Sequence, residues 1–279
     1  MKEIQSASKS SCTSHSLNRW LKAVALLVMA VMIFSTAVQA QYSPPTSGLV
    51  SWWRGDGNAS DSADGNNGTA LNGASYTAGV FGSAFSFDGV NDHVRVADNA
   101  NLRMTSSLTV SAWVNPSSHG SFDEIISKWD AIVPSTNQRA YTFKIDPSAK
   151  VVLSLSADGS PANIDVSSTS TISLNTWTHL AATYDGSFMK IYVNGAQDGQ
   201  QAYSGGIFSG SADLSIGGVA GGVAVGSGIS FFDGRIDEAL VYNRALSGSE
   251  IFTLATVPEP SSLALCFIGL LGARWFKRP

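Results

Sequence analysis

From Gly48 onward apolar and polar positions alternate. Leu108, Val110, Ala112 and Val114 fall on one side of an extended segment, and Thr109, Ser111 and Trp113 on the other. A period of two marks an antiparallel strand with one face against a core and one face polar. Similar runs occur at Ala84–Phe87, His93–Ala97, Ala140–Ile145, Val151–Leu155, Thr178–Tyr184, Met189–Val193 and Leu214–Ile216, punctuated by Gly, Asn, Asp and Ser. Asn194-Gly195, directly after Lys190–Val193, predicts a two-residue hairpin turn. Ser247-Gly-Ser-Glu250 has the spacing of a capping box, and Ile251, Phe252, Leu254 and Ala255 continue it as a short helix. Gly217–Gly228 is almost entirely Gly, Val, Ala and Ser and reads as a flexible loop or weakly held edge. Many short strands at this spacing predict an all-β fold, a two-sheet antiparallel jelly-roll sandwich with one short C-terminal helix.

Two apolar runs lie outside this pattern. Lys9, Arg19 and Lys22 precede an uncharged run from Ala23 to Ala37, which ends in Val38-Gln39-Ala40. A basic start, an apolar stretch and a small-residue exit make residues 1–40 a secretory signal, cut after Ala40. At the other end Val257-Pro258-Glu259-Pro260 leads into an uncharged run from Ser261 to Ala273, followed by Arg274, Lys277 and Arg278. Each run is shorter than the roughly 20 residues of a comfortable transmembrane helix. Cations after the second would hold that tail on the cytoplasmic side as a transient anchor. Residues 41–47 form a linker, 48–255 the domain and 256–279 the tail.

Charge sharpens this division. Of 17 basic and 21 acidic residues, four basic and one acidic fall in residues 1–40, and three basic follow Pro260. The remaining 10 basic and 20 acidic residues give the middle a net charge of −10. Such a surface repels nucleic acid and anionic lipid. It suits a neutral ligand, a cationic partner, or an acidic partner bridged by a divalent metal. Cys12 and Cys266 both lie in the end segments, so the domain uses neither disulfides nor thiol chemistry.

Three stretches resemble the laminin-G-like, concanavalin A-like jelly-roll family. They are Gly48-Leu-Val-Ser-Trp52 through Asp56-Gly57, Asp61 and Gly68-Thr69 to Phe87-Asp88-Gly89-Val-Asn-Asp92; Trp177–Gly186 with Ile191–Gly195; and Phe232–Leu246. The tail, with Pro258-Glu259-Pro260, its apolar run and its basic end, resembles a PEP-CTERM sorting signal. That resemblance implies processing by an exosortase-type enzyme in an outer-membrane bacterium. It also implies delivery to the cell surface or extracellular matrix.

Relatives of the fold include glycosidases that work with paired carboxylates. After the signal, Glu occurs only at Glu124, Glu238, Glu250 and Glu259, without the Glu-x-Asp-x-x-Glu cluster of the related glucanases. His93, His119 and His179 have no metal-ligand spacing, and no catalytic site is expected. Asp56 through Asn67 gathers hard oxygen donors in one loop, as Ca²⁺ requires, though not at EF-hand spacing. Asp237 and Glu238 fall on opposite faces if alternation continues through Gly234–Tyr242. A carboxylate among apolar residues there needs Arg, backbone donors or a cation. The resemblance implies a structural calcium near the sandwich edge, so Asp56, Asp61 and Asp237 are the candidate ligands. Pairing of Asp237 with Arg54 or Arg235 is the alternative.

Sugar binding calls for exposed aromatic rings, and Trp113, Trp129, Tyr141 and Tyr203 are the candidates. Trp52, Trp53, Trp177 and Tyr192 are expected to fill the core. Arg54-Gly55-Asp56 spells an integrin-type tripeptide, which a chain of this length contains by chance. The expected function is non-catalytic binding of extracellular polysaccharide. A protein-adhesion or structural matrix module that binds a surface protein is the alternative.

Overall fold

The computed structural model describes residues 42–120, 122–130, 138–219 and 231–256. The expected secretory signal, the Pro258-Glu259-Pro260 tail and most of Gly217–Gly228 lie outside these residues. Among the described residues no helix is long and apolar enough to cross a membrane.

Two antiparallel sheets form the sandwich. The first runs, in spatial order, β13 (Ala196–Ala202), β12 (Phe188–Val193), β11 (Thr178–Tyr184), β6 (Leu108–Pro116), β15 (Asp233–Tyr242), β4 (Ser83–Asp88) and β3 (Ser75–Ala78). An eighth strand, β1 (Leu49–Trp53), also pairs with β15. The second runs β10 (Ile164–Ser167), β9 (Val151–Leu155), β8 (Gln138–Ile145), β7 (Asp123–Asp130), β14 (Leu214–Ile216), β5 (His93–Val96) and β2 (Gly68–Leu71). One short helix, α1 (Gly248–Leu254), follows β15 and carries the expected capping box between Ser247 and Glu250. Asn194 and Gly195 both take positive φ, at 49° and 81°, which is the two-residue turn that joins β12 to β13.

The main core lies between the sheets. Val110, Ala112, Val114, Leu180, Ala182, Ile191 and Ile236 of the first sheet face Val94, Ile126, Phe143, Leu153, Leu214 and Ile216 of the second. This is the alternation expected of half-buried strands, and on β6 it holds for every inward position.

The outward positions of the first sheet depart from expectation. Trp113, Ala181, Tyr192, Leu240 and Tyr242 form a second apolar cluster with Tyr42, Phe81, Leu246, Ile251 and Leu254. The N-terminal segment, the loop before β4 and α1 thus cover that face, and β6 is buried on both sides. Their hydroxyls are used internally: Thr109 donates to the Arg244 carbonyl, and Ser111 shares a 2.8 Å hydrogen bond with His179 Nε2.

Candidate functional site

The outward face of the second sheet is built differently. Register places Asp165, Ser154, Thr142, Ser127, Ser215, Arg95 and Thr69 side by side, one from each of its seven strands. Their strand neighbours Leu153, Phe143, Ile126, Leu214 and Val94 point into the main core, so this row points away from it. Four of its central members are hydroxyls. Ser127 Oγ and Ser154 Oγ are buried and have no hydrogen-bond partner. Buried hydroxyls are normally paired, and leaving one unpaired costs about 1–3 kcal/mol.

Aromatic rings and cations stand at both ends of the β7–β8 ladder. Lys128 pairs with Tyr141 on the core side, and the register then skips Ala140, so that Trp129 opposes Arg139. Alternation returns Trp129 to the side of Ser127, with the Arg139 guanidinium 6.0 Å from its ring centroid. At the other end Glu124 pairs with Lys144, whose Nζ lies 4.6 Å from the Phe122 ring centroid. Thr142 donates to Glu124 Oε2. Burial pushes the Glu124 carboxyl up to about 7, against the opposing pull of Lys144 and Thr142.

A second polar cluster sits on the outward face of the first sheet. Alternation does not continue through Asp237 and Glu238 as the sequence suggested. Glu238 has φ 52°, and the pairing of β15 with β6 shifts between Asp237 and Leu240. This bulge resets the period: Ile236, Ala239 and Val241 face the main core, and Leu240 and Tyr242 join the second cluster. Both carboxylates therefore fall among the covering segments. Asp237 Oδ2 accepts from Val80 N at 2.8 Å and Phe81 N at 3.0 Å, and Glu238 Oε2 accepts from Trp52 Nε1. The loop must come close: a Cβ on Gly79 would lie 2.4 Å from Asp237 Oδ2, and one on Gly82 2.3 Å from Asp56 Oδ1. Asp237 Oδ1 and Glu238 Oε1 are buried without partners. Burial raises both carboxyls, and each is raised further by neighbouring carboxylates: Asp56 acts on Asp237, while Asp237 and Asp56 act on Glu238.

Asp56 and Asp237 approach the same loop, but the three expected calcium ligands do not assemble into one group. Asp61 Oδ1 accepts from Trp52 N and Ala63 N, and Oδ2 from Asp64 N and Asn66 N, so four amides consume that carboxylate in shaping its loop. Asp56 accepts from Ser83 N and bridges to Arg54 at 3.0 Å, which also ties up the integrin-type tripeptide. Arg235 stacks on Trp177 at 5.2 Å, so neither proposed arginine pairs with Asp237, which uses backbone donors. Among the described residues no group of three or more His, Cys, Asp or Glu is placed to hold a metal ion. The Asp56–Asp61–Asp237 set does not fit calcium. The two orphaned oxygens of Asp237 and Glu238 do have the donor chemistry of a hard cation site.

Two of the four expected sugar platforms are corrected by burial. Trp113 is 7% exposed and lies edge-on to His179 under Phe81, because its face of β6 is covered. Tyr141 is 0% exposed, with its hydroxyl donating to the Leu102 carbonyl inside the core. Tyr203 is half-buried beside Tyr184 and donates to the Gly206 carbonyl. Trp129 alone of the four shares the face of the hydroxyl row. Of the rings expected in the core, Trp53 and Tyr192 are buried, whereas Trp52 and Trp177 are half-buried, each under an arginine. Sequence reasoning missed Phe122, Arg139 and Lys144. The parity of β8 put Thr142 and Lys144 on one face, but the ring partners come from another strand.

Comparison with known proteins bears on the fold. The family described as the concanavalin A-like lectin/glucanases superfamily matches residues 88–252. Human pappalysin-1 is 67% identical over 36 residues, which is 12% of this chain and only 2% of that protein. Domain 4 of AbnA, an extracellular GH43 arabinanase from Geobacillus stearothermophilus described in complex with arabinotriose, superposes with TM-score 0.59 and 22% identity, over 75% of this chain and 98% of that one. The binding domain of Paraclostridial Mosquitocidal Protein 1 gives TM-score 0.59 and 19% identity, over 75% and 52%. A botulinum neurotoxin type C structure, whose cell entry is described as dependent on two ganglioside molecules, gives 0.57 and 16%, over 75% and 51%. At these identities the structural likenesses establish a shared fold.

Proposed function

Because the chain belongs to the concanavalin A-like lectin/glucanases superfamily, we propose that it is a non-catalytic carbohydrate-binding protein, with the outward face of the second sheet as its glycan site. The observation that carries this is the half-exposed Trp129, with Arg139 against its ring, at the margin of a polar row across all seven strands whose central hydroxyls are buried, two of them without partners. Hydroxyl donors and acceptors match the edges of a sugar, and a flat ring matches its apolar face. Absence of catalysis is supported by the dispersion of the glutamates. Glu124 lies on the outward face of the second sheet, Glu238 under the covering segments of the first, and Glu250 on α1. No two of these flank one cleft as a glycosidase pair does.

Calcium belongs to this proposal as a brace rather than a bridge. Asp237 and Glu238 are the residues that would hold it, and it would offset their mutual repulsion beneath the 79–82 loop. The signal and tail further support export to the cell surface or extracellular matrix, with transient inner-membrane anchoring through the tail and processing by an exosortase-type enzyme. Replacing Pro258-Glu259-Pro260 with alanines should change the processing and the cell fraction of the protein. Unchanged behaviour would remove the sorting claim.

The direct test is binding of the purified protein to exopolysaccharide of the producing organism, first with calcium and then with EDTA. Binding weakened by Trp129→Ala supports the assigned face. Absence of binding in both buffers overturns the proposal.

A further inference from the structure

Six of the ten cations in residues 42–256 are spent on carboxylates: Arg54, Arg95, Arg103, Lys128, Lys190 and Arg244. Arg139 and Lys144 are not. Both project from the outward side of β8, on either side of Thr142, and each lies against a ring; Lys144 also faces Glu124 across the ladder and draws that carboxyl down against the effect of burial. A guanidinium or ammonium held by a ring face keeps its N–H donors free. Five positions of extended chain with one bulge separate the two, on the order of 15 Å.

From this arrangement we infer that the glycan site takes an acidic polysaccharide, with Arg139 and Lys144 as the groups that receive its carboxylates. The inference rests on the carbohydrate-binding reading and adds a ligand class to it. The charge of −10 over residues 41–260 opposes it at long range, but surface charges beyond about 8 Å are screened at physiological ionic strength, which leaves the two local cations to act at contact. Acids also flank the two cations: Asp130 and Asp158 lie near Arg139 in the ladder and its loop, and Glu124 and Asp123 lie near Lys144. Glu124 is buried and its carboxyl is pushed up, Asp213 is bound to Arg95, and Asp165 sits at the far edge of the row beside Asn163. The hydroxyls of Ser127 and Ser154 flank Thr142 on the neighbouring strands but are buried, so contact with the ligand falls to the partly exposed Trp129, Arg139 and Lys144.

The test uses the purified protein with three probes: polygalacturonate, dextran of matched length, and duplex DNA. Polygalacturonate should bind, and dextran should bind at least tenfold more weakly. Arg139→Gln and Lys144→Gln should each weaken polygalacturonate binding roughly tenfold, the loss of one charge-assisted hydrogen bond. Arg235→Gln, on the other sheet, should leave it unchanged. Raising NaCl from 0.05 to 0.5 M should weaken polygalacturonate binding in the unmodified protein, so the inference does not depend on a variant folding. Equal binding of dextran and polygalacturonate, with the Arg139 and Lys144 variants silent, overturns the acidic-ligand inference and leaves the carbohydrate reading standing. Binding of DNA as tight as that of polygalacturonate overturns it also. Failure of both glycans overturns the carbohydrate reading itself.

Discussion

The guanidinium of Arg139 lies 6.0 Å from the ring centroid of Trp129, and the two residues oppose each other across a register skip at Ala140. Without the skip, Trp129 would meet Ala140, and the cation would have no ring to lie on. The bulge therefore assembles the aromatic–cationic end of the proposed glycan face, while Tyr141, one position further on, is committed to the core.

Two tryptophans should respond in opposite ways. Trp129→Ala removes a half-exposed ring, and glycan affinity should fall about tenfold or more with little change in melting temperature. Trp113→Ala empties a buried site and should cost about 3–5 kcal/mol of stability, with affinity for glycan unchanged while the protein is folded. Titration calorimetry and thermal denaturation of both variants would show this. Loss of affinity in Trp113→Ala alone would move the site to the other sheet.

The buried carboxyls give stability a slope with pH. Asp237 and Glu238 are raised above their ordinary values, so the folded protein holds protons there that the unfolded chain has released. Their contribution is greatest at low pH and is lost as pH rises through the raised values. His179 is lowered to about 3 by burial. Its opposite effect is confined below its unfolded value of about 6.5. Between pH 6.5 and 8.5, in EDTA, the melting temperature should fall. Asp237→Asn with Glu238→Gln should flatten that fall; an unchanged slope would show that other groups cause it.

Calcium, if it braces this pair, should act where the pair is charged. At pH 8.5, millimolar calcium should raise the melting temperature by several degrees, and by less at pH 6.5. Asp61→Asn would lower stability through its loop but keep the calcium response, whereas Asp237→Asn would abolish it. A calcium response that survives Asp237→Asn would place the ion elsewhere.

Binding of an acidic glycan should itself depend on pH. Glu124 is pushed up to about 7 by burial, with Lys144 and Thr142 opposing and Asp123 adding to the rise. As it ionises it competes for Lys144, so affinity for polygalacturonate should drop between pH 6 and 8. Glu124→Gln should remove this dependence, measured as affinity against pH in both proteins.

The 79–82 loop tolerates no side chain at its point of contact. Gly79→Ala places a Cβ 2.4 Å from Asp237 Oδ2 and should cost about 1–3 kcal/mol. The raised carboxyls should be perturbed as well, which would appear as a changed slope of stability with pH. A variant as stable as the parent would mean that the loop can move away from β15.

Much of the architecture was legible without coordinates, because its causes are local. The period of two in Leu108–Val114 identifies the inward residues of β6, Asn194-Gly195 can take the two positive φ values of a tight turn, and Ser247 with Glu250 closes a cap within one helical turn. Strands that break these patterns were missed. Strand β13 is polar along most of its length as an edge strand, and β7 carries two register shifts and acids at both ends.

Residue order alone could say that Thr109, Ser111 and Trp113 share a face, but not that this face is dry. Its cover comes from Tyr42, Phe81 and Ile251, which are distant in sequence and meet β6 only on folding. The same limit applies to the carboxylates: alternation assigns Asp237 and Glu238 to opposite sides until the strained backbone at Glu238 puts both on one. The row from Asp165 to Thr69 takes one residue from each of seven strands, and only the pairing of those strands sets them side by side. Sequence determined the fold here because strand period, turn and cap are properties of adjacent residues. The tertiary structure decided which residues the proposed site can use, because cross-strand register and burial depend on strands and segments that are distant in sequence.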